Sequence, residues 1–170
     1  GAFRQGYLTD TLDCEGKLVD LQTSKNVNID ELKLLAKHFL GTYEQQTPMF
    51  SARKVNGKKL YDYARKAKSS IQIKPPLRAV EIFQFQLNHS KDHLVHFEVS
   101  CSKGTYVRQL IQDLLGLLPD DRKILGTLEI LRRTQVGSLD HENSISPQKL
   151  FEKIILSKPL EGNWCQPLSS

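Results

Sequence analysis

The apolar positions of this chain switch between two spacings, and each switch marks an element. Ile29, Leu32, Leu35, Ala36, Phe39 and Leu40 recur at helical intervals and line one side of a predicted helix. Asn28 stands before them as an N-cap, Glu31 completes a capping-box relation, and Gly41 closes the helix. Farther on, Val95, Phe97, Val99 and Cys101 alternate with His96, Glu98 and Ser100. That period of two predicts a strand over residues 93–101 with one buried face. A partner strand is expected over 78–87, and the polar run 88–92 suits a hairpin turn.

The remaining elements are shorter. A strand is expected around 17–21, and extended chain over 42–55 is interrupted at Pro48. Asn56-Gly57 is a turn dipeptide, residues 58–67 form a short amphipathic helix, and Pro75-Pro76 breaks the chain. Residues 106–118 read as a helix burying Val107, Leu110, Ile111, Leu114 and Leu118. A further strand runs over about 127–136, and Ser146-Pro147 starts a final helix with Leu150, Ile154 and Ile155 inward. Strands and helices are mixed with at least one antiparallel hairpin, so the class is α+β. No repeat or low-complexity linker divides the 170 residues, and a single domain over 1–170 is expected. The opening Gly1-Ala2-Phe3-Arg4 reads as a strand already under way, as in a piece of a longer protein.

Composition narrows the function classes. With 39% hydrophobic and 25% charged residues the chain is globular rather than disordered. It holds no apolar run of membrane-spanning length and no signal-peptide pattern at its start. Cys14, Cys101 and Cys165 are odd in number, far apart, and form neither a CxxC pair nor a zinc spacing with the histidines. A reduced, cytoplasmic setting without a metal site follows as the expectation. The net charge of +5 is modest but unevenly spread. Arg53, Lys54, Lys58, Lys59, Arg65, Lys66 and Lys68 surround a single acid, Asp62; Lys103 with Arg108 and Arg132 with Arg133 form two further groups. Phe50, Tyr61, Tyr63 and Tyr106 lie among them, as on a phosphate-tracking surface with stacking platforms. The bland alternative is a solvated helix face.

The chemistry concentrates at residues 101–108, Cys-Ser-Lys-Gly-Thr-Tyr-Val-Arg. The strand stops at a Lys-Gly corner where Gly104 can take angles closed to other residues, and Thr105 is a good N-cap for the helix. Tyr106 and Arg108 would then project from a first helical turn, whose free N–H groups and dipole favour anions. They make a base-reading or charge-balancing pair. Taken alone, the pair could equally be a packed tyrosine and a surface salt bridge.

Four segments together resolve that choice. Residues 9–16, Thr-Asp-Thr-Leu-Asp-Cys-Glu-Gly, resemble the TDTxDxxG segment of bacterial TruB-type tRNA pseudouridine synthases. Residues 46–61, from Gln46 to Tyr61, are similar to the QxPPxYSAxKxxGxxxY stretch of that family. Residues 101–108 resemble its CSKGTYIR motif, and Leu131-Arg132-Arg133-Thr134 its LRRT motif. All four occur in the family's order and spacing. Lys103 at the corner favours the stand-alone bacterial branch over guide-RNA-dependent relatives.

The resemblance implies the pseudouridine synthase fold, a mixed, largely antiparallel sheet flanked by helices and incomplete at its N-terminus. It implies isomerisation of one uridine in the T-loop of tRNA, with tRNA as partner and no cofactor. Tyr106 matches the tyrosine that contacts the flipped base and could remove its C5 proton; Arg108 matches the arginine that pairs with the catalytic aspartate. Leu131 matches an apolar residue of the uracil pocket, and Asp10 a residue near the site. Lys103, Arg132 and Lys54 are assigned phosphate contacts from charge and position. The family's catalytic aspartate belongs to a GxLDxxAxG motif, and no such motif occurs in this chain. Leu12-Asp13 echoes it superficially and is given no catalytic role. The stacking tyrosine of a KxY element is expected just before Gly1. Thr47 and Phe50 stand where proline and tyrosine are common, Leu125-Gly126 departs from the family in the loop before the LRRT match, and no separate C-terminal RNA-binding extension is expected. This chain alone is therefore expected to be inactive, the alternative being a non-catalytic tRNA-binding or chaperone-like module.

Overall fold

A computed structural model describes residues 1–22, 28–65, 74–143, 146–149 and 151. Residues 1–131 form one compact unit and 132–170 a second. In chain order the first unit contains β1 (Ala2–Gln5), β2 (Tyr7–Thr9), β3 (Leu18–Leu21), α1 (Ile29–Ala36) and a 3-10 turn (Lys37–Phe39). There follow β4 (Gly41–Gln46), β5 (Lys54–Val55), β6 (Lys58–Lys59), α2 (Leu60–Arg65), β7 (Leu77–Lys91), β8 (Leu94–Cys101), α3 (Val107–Gly116) and β9 (Gly126–Ile130).

Five strands make one sheet in the order β4-β7-β8-β1-β9, each neighbour antiparallel to the next. α1 packs on β7, and α3 packs on β9, β4 and α1. The core is built from the two periodicities: Phe3, Val95, Phe97 and Leu128 from the sheet meet Leu32 and Ala36 of α1 and Leu110, Ile111, Leu114 and Leu115 of α3. Aromatic rings of the core meet edge to face, Phe85 on Phe97 and Phe39 on Tyr43.

β8 follows its alternation, with Val95 and Phe97 buried. β7 changes parity partway: Val80 and Ile82 are buried, Phe83 is exposed, and Phe85 and Leu87 are buried again. The ladder to β8 slips between Ile82 and Gln84, so one extra residue turns Phe83 outward and restores the apolar face beyond it. Other differences from the sequence pattern are local. Asn28 caps α1 by accepting from the Asp30 N–H, while Glu31, instead of closing a capping box, takes Arg122 at 2.7 Å. Leu40 lies past the 3-10 turn in extended chain and is exposed. The Asn56-Gly57 turn joins β5 to β6 with both residues at positive φ.

The expected strand over 127–136 is two strands. The β1–β9 ladder reaches the Ala2–Ile130 pair and ends there. Within the second unit β10 (Gln135–Val136) pairs antiparallel with β11 (Leu139–Asp140), followed by a 3-10 turn at His141–Asn143 and helical residues at 147–149. Leu150, Ile154 and Ile155, assigned to the core side of the last helix, lie outside the described residues, as do Lys66 and Lys68. No helix among the described residues is long and apolar enough to cross a membrane.

Candidate active site

The corner between β8 and α3 is tied down on each side. Ser102 exchanges two bonds with Glu81 of β7, its Oγ accepting at 2.9 Å and its N–H donating at 2.8 Å. Gly104 has φ +86°, and a Cβ built on it would stand 2.4 Å from the Cζ of Arg78. The positive φ disfavours any side chain here, and a Cβ would also have to push aside the mobile head of Arg78. Thr105, expected as the N-cap, instead donates its hydroxyl back to the Ser102 carbonyl at 2.9 Å, and Tyr106 is the N-cap residue. Tyr106 has no side-chain capping bond. Its backbone N–H is taken by the side chain of Gln45, a residue 1% exposed on β4.

Arg108 sits in the first turn of α3, the end where the helix dipole disfavours a cation. The offsetting charge is Asp13, whose Oδ2 lies 2.7 Å from Nη1 of Arg108. The other terminal nitrogen of the guanidinium donates to the carbonyl of Phe50. Side-chain exposures of 20% and 27% place the pair where a charge-assisted bond outweighs the usual surface ion pair.

Asp13 is itself held. Its Oδ1 accepts from the Thr11 hydroxyl at 2.6 Å, and its carbonyl accepts from Thr9 at 2.6 Å. Leu12 takes φ +67° and its carbonyl accepts from the Leu128 N–H of β9, while the Cys14 N–H donates to the Leu128 carbonyl. The 9–16 segment is thus stitched to the sheet edge with its carboxylate facing α3. Sequence reasoning gave Asp13 no role; its partner lies 95 residues away, and no local spacing announces the pair.

The other expected site residues divide. Asp10 accepts the Lys17 N–H at 2.8 Å and closes the turn at 10–17. Leu131 is 55% exposed, one residue past β9. Lys103 is exposed at the corner, and its carbonyl accepts from Arg78 at 3.4 Å. Lys54 is exposed on β5, and Arg132 is exposed in the second unit. Tyr106 and Arg108 are half-buried neighbours on one turn, and the structure adds Asp13 to them. Two of the three tyrosines expected as stacking platforms, Tyr61 and Tyr63, have partners within the protein. Tyr61 lies under Lys59 and Arg65, with cation-to-ring distances of 5.3 and 5.4 Å, and Tyr63 donates to the Val55 carbonyl.

Two further titratable groups lie behind the corner. Burial pushes the Tyr43 phenol well above its ordinary value, and the neighbouring Asp113 carboxylate adds to the shift. Burial also raises Asp113, against hydrogen bonds from Gln109 and Tyr43. On the far sheet edge Tyr7 is pushed up to about 12 by burial and by Glu129, whereas the Arg4 bond lowers Glu129. Recesses of about 400 Å³ between α1 and β7 and about 440 Å³ beside β3 do not include Tyr106 or Arg108. Among the described residues no group of three His, Cys, Asp or Glu side chains is arranged to hold a metal.

Residues 1–107 match the family model described as TruB family pseudouridylate synthase (N terminal domain). A relative from Clostridium novyi named tRNA pseudouridine synthase B is 41% identical over 148 residues, covering 87% of this chain and 48% of that protein. A second of that name, from Caldanaerobacter subterraneus, is 37% identical over 86% of this chain and 50% of the relative. A third, from Endomicrobium trichonymphae, is 33% identical over 91% of the chain and 66% of its own length. The chain spans about half the length of the first two of these relatives.

Proposed function

The chain belongs to the TruB family of pseudouridylate synthases, and from that membership we propose that the protein carrying it converts one uridine in the T-loop of tRNA to pseudouridine. The observation that carries the reading is the Arg108 guanidinium, held between Asp13 and the Phe50 carbonyl on the turn that Tyr106 opens. The reaction is an isomerisation: the bond from N1 of uracil to C1′ breaks, a bond from C5 to C1′ forms, and the C5 proton moves to N1. It consumes no oxidant and needs no cofactor. The uridine must leave its stack before any of this can occur.

The geometry supports a division of roles. Arg108 retains donors beyond those given to Asp13 and Phe50, and in this reading it orients and keeps ionised the attacking carboxylate. Asp13 balances the guanidinium and fixes its plane. Both Asp13 oxygens are occupied, which suits an orienting group better than a nucleophile. Tyr106 contacts the everted base and removes its C5 proton. Leu131 packs against the uracil, while Lys54, Lys103 and Arg132 meet phosphates of the T-arm; Asp10 supports the loop that carries Asp13. The protein works in the cytoplasm, where its tRNA is. The nucleophile is supplied from outside these 170 residues, which contain no GxLDxxAxG motif.

Release of tritium from tRNA carrying it at uracil C5 tests the proposal. The full-length protein should release it, and this chain alone should bind tRNA in a salt-dependent way without release. Robust release by the chain alone would overturn the need for an external carboxylate. A folded full-length protein that binds tRNA and releases nothing would instead support a binding module.

A further inference from the structure

We propose that Gln45 is a positioning residue for the reaction, clamping the peptide groups of Tyr106 through a hydrogen-bond ring that runs from β4 to α3 and back. The inference rests on the reading of Tyr106 as the group that meets the base. Oε1 of Gln45 accepts the Tyr106 N–H at 2.8 Å, and Nε2 donates to the Tyr106 carbonyl at 3.2 Å. A side-chain amide thereby pairs with one residue as two strand residues pair in an antiparallel ladder, exchanging both bonds. The second Nε2 hydrogen goes to the Tyr43 hydroxyl at 2.6 Å. Tyr43 in turn donates to Asp113 at 3.4 Å, and Asp113 accepts from Gln109 at 2.9 Å, one turn away on α3.

This ring fixes the amide's orientation. Turned over, it would set NH₂ against the Tyr106 N–H and oxygen against its carbonyl, two repulsive contacts in place of two bonds. It also accounts for the N-cap that has no side-chain bond: the donor left over at Tyr106 is met from a strand 61 residues away. Local capping by the Thr105 hydroxyl is forgone, since that group bonds the Ser102 carbonyl. The first turn of α3 is therefore registered against the sheet rather than against its own loop. Arg108, two residues on, inherits that register.

Catalysis is sensitive to such placement, with a shift near 1 Å able to cost about a hundredfold. A merely structural glutamine would lower stability and leave the chemical step alone. The test uses the full-length protein with Gln45→Ala and Gln45→Glu. Both should lower kcat for tritium release by about ten- to a hundredfold while KM for tRNA moves by less than about threefold. Gln45→Glu carries a second readout. Its neutral acid keeps one donor and one acceptor, whereas its carboxylate only accepts and would face the Tyr106 carbonyl, with Tyr43, Asp113 and Cys101 as the neighbouring titratable groups. Its kcat should therefore fall as pH rises across a range where wild type is flat. Hydrogen exchange at the Tyr106 amide gives a readout that needs no turnover: exchange should quicken at least about tenfold in Gln45→Ala at a temperature where the core amides of β8 stay protected.

Folded variants with kcat within twofold of wild type, or with losses confined to KM, would overturn the proposal. An unchanged Tyr106 amide would overturn it too, whatever the kinetics. If wild type itself turns nothing over while the amide responds as expected, the functional reading fails and takes the catalytic half of this inference with it, leaving the clamp as plain architecture.

Discussion

The corner at 101–108 and the hairpin with its helix at 54–65 are both basic and both aromatic, yet they are built in opposite ways. At the corner Arg108 has two fixed partners, and the backbone of Tyr106 is bonded from three directions. On the hairpin Arg53, Lys54 and Lys58 are exposed and make no ion pair among the described residues, and Lys59 and Arg65 rest against the ring of Tyr61. Fixed donors suit charge that develops at one place during a reaction; loosely held cations suit a phosphate backbone met at many angles. In the proposed function, like composition serves chemistry in one region and docking in the other. Substitutions in the two regions should therefore differ in kind as well as in size.

The largest effect belongs to Arg108→Ala in the full-length protein. Removing the cation leaves Asp13 half-buried without its counter-charge, and kcat should drop about a thousandfold, near 4 kcal/mol of barrier. A loss under about tenfold would place Arg108 among the docking cations and erase the contrast.

Gly104→Ala comes next and tests how rigid the corner is. The positive φ and the approach of Arg78 both penalise a methyl, at about 1–3 kcal/mol together. Thermal unfolding should move down by several degrees, on the order of 2–4 °C per kcal/mol. Adding Arg78→Ala should recover the steric share and leave the backbone share, so the double mutant separates the two causes. Full tolerance of the single substitution would mean that the corner yields.

On the hairpin, replacing Lys54 and Lys58 with alanine should act on binding. Every lysine–phosphate pairing removed in this way should make the slope of log affinity against log salt shallower by about 0.7–0.9. KM should rise, and the rise should shrink at high salt. A salt-independent fall in kcat would show instead that the hairpin takes part in positioning.

What was legible in the sequence follows the same division. β8, α3 and the Asn56-Gly57 turn were readable because each announces itself through neighbours two to four residues away. Phe83 could not be placed, because the bulge that exposes it is a property of two strands together. The pairings of Gln45 and Asp13 were invisible for the same reason at longer range, their partners lying 61 and 95 residues off, although Asp13 is itself a fixed letter of the 9–16 match. The basic cluster was plain from composition, whereas the engagement of Tyr61 by its own lysine and arginine was not.

The smallest effect is expected at Glu31, where the sequence and the fold point to different partners. A capping box would make Glu31 part of the α1 terminus, so that Glu31→Gln, which keeps the reach and an acceptor, would cost almost nothing at any salt. The structure instead gives both Glu31 oxygens to one nitrogen of Arg122, at 2.7 and 2.8 Å, with the arginine more than half exposed. An exposed pair of that kind is worth up to about 1 kcal/mol and is screened by salt. Glu31→Gln should therefore lower stability slightly at low ionic strength and not at high, while Asn28→Ala should cost about 1 kcal/mol at both. The difference in salt response, more than the size of either loss, tells a cap from an ion pair. The same measurement made on the Arg108–Asp13 pair should respond far less to salt, because that pair is held in a partly closed corner and this one stands in water.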